Sequence, residues 1–476
     1  MLLENQTYPR DVRVRNEALA LVRHQHAVTV IAPRGAGEAA VETVEGVTVW
    51  RYRLPVSSGG VLGFLAEYLV AHVQLFARAC VALAGGATVL HLHNPPDTLF
   101  PIALVGRALG RKIVFDQHDL SPELYRAKFG SSPIVRVLAG AQRLAARAAH
   151  ASIATNLSQE HVLRVRAGVP ADRVVVVRNG PRLEKLLEAR PGRPVLDGGA
   201  RLLFLGELEA QDRASSLPAL LARPGFEQAR LTVVGQGPDG ARVQSEAERL
   251  GVGDRVRLTG WVPHDQVFEL LAEADICLDP APPGSFGDRS TMTKIAEYLA
   301  AGRPVVAFDL VETRRTAEDC ALYASGGDFG DFATQVLRLV DDDDLRAELS
   351  RRALRRARDL VWERSERGLL ELYQRLAPVT RTERPGRPAV AVLAWNSERK
   401  RADELGAALA GEGRTFYDLQ LLHTALVPLR YAISTARTIS YLARRRPRSL
   451  ILQSPPVIPP LIGYVYARMA RVPFVL

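Results

Sequence analysis

Short runs of β-branched and apolar residues alternate with longer segments of helical periodicity along the first part of the chain. The strand-like runs lie at 27–33, 47–52, 88–93, 112–116, 151–155 and 174–180, and the helical segments at 14–25, 61–85, 97–110 and 132–149. Strands that alternate with helices predict a parallel, doubly wound sheet. The predicted fold class is therefore α/β, with a first lobe over residues 1–188.

A second alternating series follows a link rich in Pro and Gly at 189–200. Its strand-like runs are "RLLFLG", "RLTVVG", "RVRLTG", "DICLDP" and "PVVAFD", and an amphipathic helix near 360–377 closes it. This series predicts a second Rossmann-like lobe over residues 195–377. Two such lobes form a cleft, and ligands of these sheets bind at the carboxyl ends of the strands.

The end of the chain repeats the order of the first lobe. After a linker at 378–388, residues 389–476 read as strand, helix, basic helix, strand, Pro-Pro, helix and strand, and "LQSPPV" corresponds in place to "HLHNPPD". We interpret 389–476 as the start of a second, truncated acceptor-type lobe, with an evolved half-domain as the alternative. The opening "MLLENQTYPRD" is abrupt, and we expect part of a first strand to be missing there.

Composition and charge narrow the class of protein. The chain has 476 residues, of which 47% are hydrophobic and 24% charged, as in a soluble protein of several domains. The net charge is +10, but 15 Lys and Arg against 6 Asp and Glu lie from Val379 onward. Because the basic residues are not interleaved with aromatic ones, nucleic acid is not the expected partner. The cluster "RRRPR" at 444–448 fits either anionic lipid or a solvated helix end.

Cysteine spacing, the apolar segment 61–85 and the start of the chain bear on cellular location. Three cysteines without metal-ligand or disulfide spacing indicate a reducing compartment: Cys80, Cys277 and Cys320. The apolar segment 61–85 contains Glu67, His72 and Arg78, so a helix buried against a sheet is favoured over a membrane span. No leader is recognised. We expect a cytoplasmic protein, with contact at the inner face of the plasma membrane left open.

Two motifs have a structural and a chemical interpretation. "GQGPDG" at 235–240 matches a dinucleotide fingerprint, but it follows a later strand of its lobe and contains Pro238, so a strand-to-helix turn is favoured. "DDDD" at 341–344 could bind a divalent metal, but it precedes a basic helical segment. A helix N-cap is therefore the favoured interpretation.

The segment 284–309 carries the strongest candidate chemistry. A helix is predicted from Thr291 to Ala301, with Ser290 and Thr291 at its start, where hydroxyls and free N–H groups hold phosphate. Glu297 lies on one face with Lys294 and could accept hydrogen bonds from both hydroxyls of a ribose. A capped helix with a Lys–Glu pair is the structural alternative.

"FDQHD" at 115–119 follows a strand of the first lobe. Asp116, His118 and Asp119 suggest a metal cluster, but the spacing supplies no clear third ligand. A histidine at the carboxyl end of a strand, facing the other lobe, is better suited to hydrogen bonding with a polar substrate.

The motifs occur in a recognisable order: "YPRDVRVRNEALAL", "HNPPD", "FDQHDLSPELY", "VVVVRNGP", "VVGQGP", "RLTGWVP", "LLAEADICLDP" and "STMTKIAEYLAAGRPVVAFDL". Residues 1–377 thereby resemble a family-4 retaining glycosyltransferase of the GT-B fold. The resemblance implies a hexosyltransferase that moves a sugar from a nucleotide-sugar to a hydroxyl acceptor with retention, without metal or cofactor. The acceptor is left open as a lipid-linked sugar, a glycan or a small molecule.

The resemblance also implies roles for individual residues. Glu297 matches the glutamate that binds the ribose, His118 matches the histidine beside the donor sugar, and Ser290 to Met292 match the loop facing the diphosphate. The full implied set is Gly206, Asp288, Arg289, Ser290, Thr291, Met292, Lys294 and Glu297 for the donor, with Asp11, Arg13 and Asp119 on the acceptor side.

Four positions depart from the family pattern. Arg289 stands where many members have a glutamate, Glu207 and Asp212 stand where an Arg and a Lys neutralise the diphosphate, and Arg213 replaces a glycine. Glu207 and Asp212 would repel a diphosphate. A catalytically weakened scaffold or partner subunit therefore stays an alternative, as do a GT-B nucleotide-sugar epimerase and, more remotely, an NAD enzyme. The expected setting is assembly of surface polysaccharide or glycolipid in a bacterium.

Overall fold

The computed structural model describes residues 1–378 except 5, 55–59 and 189–198, and beyond them mainly the strands at 390–394, 412–415, 449–452 and 474–475. The chain divides into two compact units. The first is Met1–His72 with Val89–Ala377, and the second is Val73–Thr88 with Pro378–Leu476.

The first lobe is built on parallel strands covered by helices. Its elements are α1 (Val12–Arg23), β1 (Thr29–Pro33), β2 (Val41–Val44), β3 (Val47–Tyr52), α2 (Gly60–Ala84), β4 (Val89–Asn94), α3 (Phe100–Ala108), β5 (Lys112–Gln117), α4 (Ser121–Phe129), α5 (Pro133–Ala148), β6 (Ala151–Ala154), α6 (Leu157–Val165), β7 (Val174–Val176) and α7 (Leu183–Glu188). The strand orders are β1-β3-β2 and β4-β5-β6-β7. Leu2 joins the two sheets, since it bridges in parallel to both Ile31 and Leu92.

Strand β2 was not predicted, and it is the one antiparallel strand among those described in this lobe. It pairs with β3 through a tight turn at Glu45 and Gly46, whose φ angles are 52° and 81°. Two consecutive positive φ values are typical of the hairpin turn whose twist matches that of the strands. The four residues of β2 are exposed or half-buried, so they lack the apolar run on which the prediction relied.

The second lobe is a doubly wound sheet of six parallel strands. Its elements are β8 (Arg201–Leu205), α8 (Pro218–Leu221), β9 (Arg230–Val234), α9 (Gly240–Arg249), β10 (Val256–Gly260), α10 (His264–Glu273), β11 (Ile276–Asp279), α11 (Thr293–Ala300), β12 (Val305–Phe308), α12 (Val311–Ala317), β13 (Ala321–Ala324), α13 (Phe329–Asp341), α14 (Asp343–Leu360) and α15 (Trp362–Leu376). The order is β10-β9-β8-β11-β12-β13. Successive strands are added toward one edge of the sheet from β8 to β10 and toward the other edge from β11 to β13, so the order reverses between β8 and β11. This is the dinucleotide-type order, with its ligand crevice at the reversal. The predicted α/β class is confirmed.

The closing helix α15 packs on the first lobe rather than on the sheet that it follows. Trp362, Leu369 and Leu372 are buried in one apolar cluster with Leu21 and Ile153 of the first lobe. Gly180 makes the crossing possible, because a Cβ atom there would lie 1.9 Å from the carbonyl oxygen of Leu360. The two lobes are therefore connected twice, at 189–198 in sequence and through α15 in space.

A further parallel sheet lies in the second compact unit. Its strands are β14 (Val390–Ala394), β15 (Glu412–Thr415), β16 (Ser449–Leu452) and β17 (Phe474–Val475), in the order β15-β14-β16-β17. A parallel arrangement is what the alternating pattern of 389–476 predicts. The basic cluster 444–448 lies outside the described residues apart from Pro447.

Helix α2 covers the apolar segment 61–85 except for its last residue. Ala71, Leu75, Ala79 and Leu83 form a buried stripe at four-residue spacing. In the described part of the chain, no helix combines the length and the apolar character that crossing a bilayer requires. The three cysteines are free thiols, with Cys277 and Cys320 buried.

Candidate functional site

Glycines at the ends of β8 and β9 bring two backbone segments into contact at the carboxyl edge of the second sheet. A Cβ atom on Gly235 would lie 1.8 Å from the Gly206 carbonyl oxygen, and one on Gly237 would lie 2.5 Å from that of Leu208. The Leu208 N–H also donates to the Gln236 carbonyl at 3.0 Å. The glycines of "GQGPDG" thus serve a strand-to-helix turn into α9, as favoured from the sequence, and their spacing needs no dinucleotide to explain it.

The loop before α11 differs from its prediction. The helix begins at Thr293, not Thr291, and its N-cap Met292 makes no side-chain capping hydrogen bond. The Ser290 hydroxyl donates to the Phe286 carbonyl at 2.8 Å, while the Thr291 hydroxyl accepts from Asn156 at 2.8 Å. Because both hydroxyls already have partners in the preceding turn and in the first lobe, they do not cap α11.

Lys294 carries a buried positive charge at the centre of this edge. Its Nζ atom lies 3.0 Å from Asp212 Oδ1 and 3.4 Å from Asp279 Oδ1. Burial works to lower the pKa of Lys294, but the charges of Asp279 and Asp212 outweigh it and raise the pKa above its ordinary value. Asp212, which departs from the family pattern, is therefore paired with a lysine from α11 rather than left as an uncompensated negative charge.

Glu297 lies one turn along α11 from Lys294. Burial raises the pKa of its carboxyl to about 7, and the nearby Lys294 charge counteracts this only in part. The next residue, Tyr298, fixes the helix on the sheet: its hydroxyl accepts from the Leu205 N–H at 2.8 Å and donates to the Leu278 carbonyl at 3.2 Å. This turn of α11 is thereby held against β8 and β11.

His118 follows β5 in the first lobe and hydrogen-bonds to Asp116, with 2.9 Å between Nε2 and Oδ2. Burial favours the protonated form of Asp116, but Arg13 and His118 outweigh it and hold the pKa of that carboxyl well below its usual range. An ionised carboxylate only accepts hydrogen bonds, so Nε2 of His118 donates. In the neutral ring Nδ1 is then the nitrogen left to accept.

Arg13 is buried behind His118 and contacts protein groups only, as far as the described residues show. Its guanidinium donates to Asp116 at 2.7 and 3.0 Å and to the Val177 carbonyl and Asn179 Oδ1, each at 2.8 Å. The resemblance placed Arg13 on the acceptor side. The structure corrects this to an indirect position, because α1 begins at its N-cap Asp11 and thereby turns residue 13 into the lobe.

A buried polar group surrounds Asp116. Glu17, His91, His93 and Asp116 have ligand-type atoms within 4.8 Å of one another, a geometry that could hold a metal ion. The spacing of "FDQHD" did not reveal the two histidines of β4 or the glutamate of α1. Arg13 Nη2 lies 2.7 Å from Asp116 and 3.2 Å from Glu17, so a guanidinium already supplies the positive charge that a cation would bring. Burial lowers the pKa of His91 to about 4, which keeps this ring neutral.

The "HNPPD" motif holds the loop that carries His118. Asn94 Oδ1 accepts from the His118 N–H at 2.5 Å and from the Asp119 N–H at 3.2 Å, and its Nδ2 donates to the Asp119 carbonyl at 2.8 Å. Asp119 is placed beside His118 in this way, and burial raises the pKa of its carboxyl. The ends of β4 and β5 are thus fixed to each other.

Helix α6 connects the two lobes at the cleft, a role that the sequence did not reveal. Its N-cap Asn156 donates to the Arg289 carbonyl at 2.9 Å and to Thr291 Oγ1 at 2.8 Å. Three residues on, Gln159 donates to the His118 carbonyl at 3.0 Å. His118 and the loop before α11 are therefore separated by one turn of helix. A sequence feature that could have indicated this role is the Asn of "ATNLSQE", which follows a strand and caps the next helix.

Other candidate positions have local roles. Asp288 accepts from the Gly284 N–H at 3.3 Å, and the Arg289 guanidinium donates to the Ser285 carbonyl at 2.9 Å, so both stabilise their own loop. Glu207 is exposed. In the "DDDD" run Asp342 caps α14, accepting from the Leu345 N–H at 2.8 Å, as predicted.

Two family models match the chain. The glycosyl transferase 4-like domain matches residues 11–180, and the model of glycosyl transferases group 1 matches residues 199–342. The first corresponds to the lobe that carries His118, and the second to the lobe that carries Lys294 and Glu297.

Curated relatives match part of their length. A D-inositol 3-phosphate glycosyltransferase of Thermomonospora curvata is 31% identical over 274 residues, which are 51% of this chain and 60% of that protein. A phosphatidyl-myo-inositol mannosyltransferase of Mycobacterium leprae is 28% identical over 213 residues, which are 43% of this chain and 54% of that protein. The chain thus spans little more than half the length of these relatives.

Among solved structures, HepE of Anabaena in complex with UDP-glucose superposes with a TM-score of 0.59. The match covers 79% of this chain and 99% of that one at 18% identity, a level at which the likeness concerns the fold. The two doubly wound lobes, the two family models and the order of the motifs agree. The chain belongs to the family-4 glycosyltransferases of the GT-B fold.

Proposed function

We propose that the protein transfers a sugar from a nucleotide-sugar to a hydroxyl acceptor with retention of configuration at the anomeric carbon. The bond between the anomeric carbon and the diphosphate breaks, a bond to the acceptor oxygen forms, and the acceptor proton passes to the leaving diphosphate. Glu297 binds the ribose, Lys294 and the loop 288–292 face the diphosphate, and His118 lies beside the sugar.

The observation that carries this proposal is the bridge made by α6. Asn156 holds the loop before α11, and Gln159 holds the backbone of His118. A donor at the carboxyl edge of the second sheet would therefore present its sugar to His118. The ionised Asp116 leaves Nδ1 of His118 as an acceptor for a sugar hydroxyl.

A thermal-shift screen with UDP, GDP, ADP and dTDP sugars tests donor binding. A ligand at 100 times its dissociation constant should stabilise the protein by about 2.7 kcal/mol. The configuration of the product follows from the anomeric coupling in its proton NMR spectrum. His118→Ala should lose transfer while it keeps nucleotide affinity. A screen without any shift, or a product of inverted configuration, would contradict the proposal.

The reaction that we propose uses no metal ion. Activity should persist in EDTA, with Lys294 providing the positive charge at the donor site. A loss of activity in EDTA that Mg²⁺ or Mn²⁺ restores would contradict this part of the proposal and direct attention to the buried group around Asp116.

We further propose that the acceptor is reached at a membrane surface, in surface polysaccharide or glycolipid assembly. Residues 121–148, which form α4 and α5, contain five basic residues and one acidic residue. Phe129 and Val137 there are 70% and 67% exposed, beside exposed Ile134 and Leu144. A cationic helix face with exposed apolar side chains is typical of contact with anionic lipid. Lys128 of α4 pairs with Glu209 of the second lobe, so this surface borders the cleft.

Sedimentation with lipid vesicles tests the membrane surface. The full chain should bind vesicles of phosphatidylcholine with phosphatidylglycerol, and salt should weaken the binding. Val137→Asp should reduce it, whereas Val41→Asp, at an equally exposed apolar position on β2, should not. Equal effects of both substitutions would contradict a role for α5.

A further inference from the structure

We propose that Lys294 is the cation that binds the donor diphosphate, and that Asp212 occupies the place of a phosphate beside it while no donor is bound. This inference rests on the proposed function and gives it a specific electrostatic form. The family pattern places its cations on the loop after the first strand of the second lobe, where this chain has Glu207 and Asp212.

The position of Lys294 carries the first step. Its ammonium lies against the backbone of Gly206: a Cβ atom there would be 3.3 Å from both Nζ and Cε. Gly206 directly follows β8 at the reversal of the strand order, where ligands of this fold bind their phosphates. A side chain at residue 206 would press on the ammonium, and the glycine leaves that space open.

The two carboxylate partners of Lys294 differ in how firmly they are held. Asp279 is buried at the end of β11, and its Oδ2 atom has no hydrogen-bond partner among the described residues. Asp212 differs from it, because it lies half-buried on the loop that follows β8. Asp279 is thus the fixed partner of the ammonium, and Asp212 is the partner that can leave with its loop.

A donor phosphate and the Asp212 carboxylate compete for the ammonium of Lys294. A phosphate oxygen that approaches Nζ meets the Asp212 carboxylate, which lies 3.0 Å from the same atom. Two negative groups that contact the same ammonium repel each other strongly at a partly buried site. The donor therefore displaces Asp212, and Asp212 lowers the affinity for any ligand that carries the phosphates, but not for a nucleoside without them.

Two other cations could take this role, and the structure disfavours both. Arg289 already donates to the Ser285 carbonyl within its own loop. Arg213 is exposed, and the described residues show no ion pair that would direct its side chain into the site. Arg213 provides the matched control position, since it is an exposed cation directly after Asp212 on the same loop.

Calorimetric titration of the full chain with a nucleoside and its diphosphate tests the inference, with the base chosen from the screen above. Lys294→Met should reduce the preference for the diphosphate about 10- to 100-fold and leave the nucleoside affinity unchanged. Asp212→Asn should tighten the diphosphate about 3- to 10-fold. Arg213→Met should have little effect on either ligand, and Arg289→Met should keep the preference for the diphosphate.

The outcomes separate this inference from the proposed function. If the native protein binds neither ligand, the proposed function fails. If it binds both, but the diphosphate preference survives Lys294→Met or disappears in Arg289→Met, Lys294 is not the diphosphate cation. A weaker diphosphate affinity in Asp212→Asn would overturn the displacement. Should Lys294→Met fail to fold, Lys294→Met with Asp212→Asn removes the ion pair and should still lose the preference.

Discussion

At the scale of single residues, burial decides what each charged group can do. Arg13 and Lys294 are both cations near the cleft, but Arg13 is surrounded by protein acceptors and Lys294 borders the space beside Gly206. Asp116 and Glu297 are both carboxylates, but a guanidinium holds the pKa of Asp116 low, whereas burial raises the pKa of Glu297 to about 7. Residue type alone therefore did not distinguish a charged side chain that holds its neighbours in place from one that contacts a ligand.

Glu297 should make nucleotide affinity dependent on pH. Its pKa of about 7 means that the carboxylate, the form that accepts ribose hydrogen bonds, is lost as the pH falls below that value. Affinity should therefore weaken from pH 8 to pH 6. Glu297→Gln should lower affinity by about 1.5–3 kcal/mol at pH 8 and flatten the pH profile. Titration calorimetry at several pH values measures both effects.

The free energy of unfolding is the control measurement for Glu297→Gln. A raised pKa means that the folded state holds a proton that the unfolded state has released between about pH 4.5 and 7, so the free energy of unfolding falls across that window. Gln removes this cost and should stabilise the protein at pH 8 by roughly 2–3 kcal/mol. Glu371→Gln on the exposed side of α15 should change neither property. Unchanged affinity in folded Glu297→Gln would reject the ribose assignment.

Arg213 has a left-handed backbone, with φ 53° and ψ 32°. A side chain costs energy in that region, so the left-handed backbone accounts for the glycine of the family pattern and makes Arg213 a strained residue. Arg213→Gly should raise the free energy of unfolding by about 1 kcal/mol, seen as a higher Tm. Arg213→Ala keeps the conformational cost and removes the charge. An equal gain in both variants would attribute the effect to charge.

At the scale of elements, alternation along the chain predicted most strands and helices to within a few residues. β3 is found at Val47–Tyr52, as predicted, and α1 is found at Val12–Arg23 against a prediction of 14–25. The exceptions have local causes: β2 has no buried run, and α11 starts late because the preceding hydroxyls are engaged elsewhere. The packing of α15 on the first lobe had no local signal.

The crossing of α15 predicts a strong effect at Gly180. Gly180→Ala should lower the free energy of unfolding by about 2–3 kcal/mol, because its Cβ would lie 1.9 Å from the Leu360 carbonyl oxygen and the backbone must shift. Gly140→Ala is the control, since no atom lies within 4 Å of a Cβ there. That change on α5 should stabilise by about 0.5–1 kcal/mol. Chemical denaturation compares the two, and a tolerated Gly180→Ala would show that the crossing is loose.

At the scale of the whole molecule, every residue assigned to the donor site lies in the first compact unit. Gly206, Lys294 and Glu297 belong to it, as do the bridging Asn156 and the closing helix α15. The second compact unit joins the sheet of β14–β17 with residues 73–88, which include the C-terminal half of α2. The repeated order of 389–476 thus leads to a separate sheet with its own strand order.

Removal of residues from Val379 onward should leave nucleotide affinity unchanged. The reason is that the cleft, the α6 bridge and α15 are complete before that point. Titration measures affinity, and size exclusion of both proteins reports association through the part of α2 that the second unit includes. A shortened protein that is folded but no longer binds nucleotide would show that the tail contributes to the donor site.

The amino-acid sequence by itself determined the alternation of strands and helices, the α/β class and the edge at which the candidate residues collect. These depend on side-chain periods of two and 3.6 residues and on motifs at strand ends, which are local properties. Only the tertiary structure decided that Asp212 pairs with Lys294, that α15 returns to the first lobe and that Arg13 lies behind Asp116. Each of these contacts joins residues far apart in the chain, and its strength depends on strand order and on the removal of water, neither of which a local pattern contains.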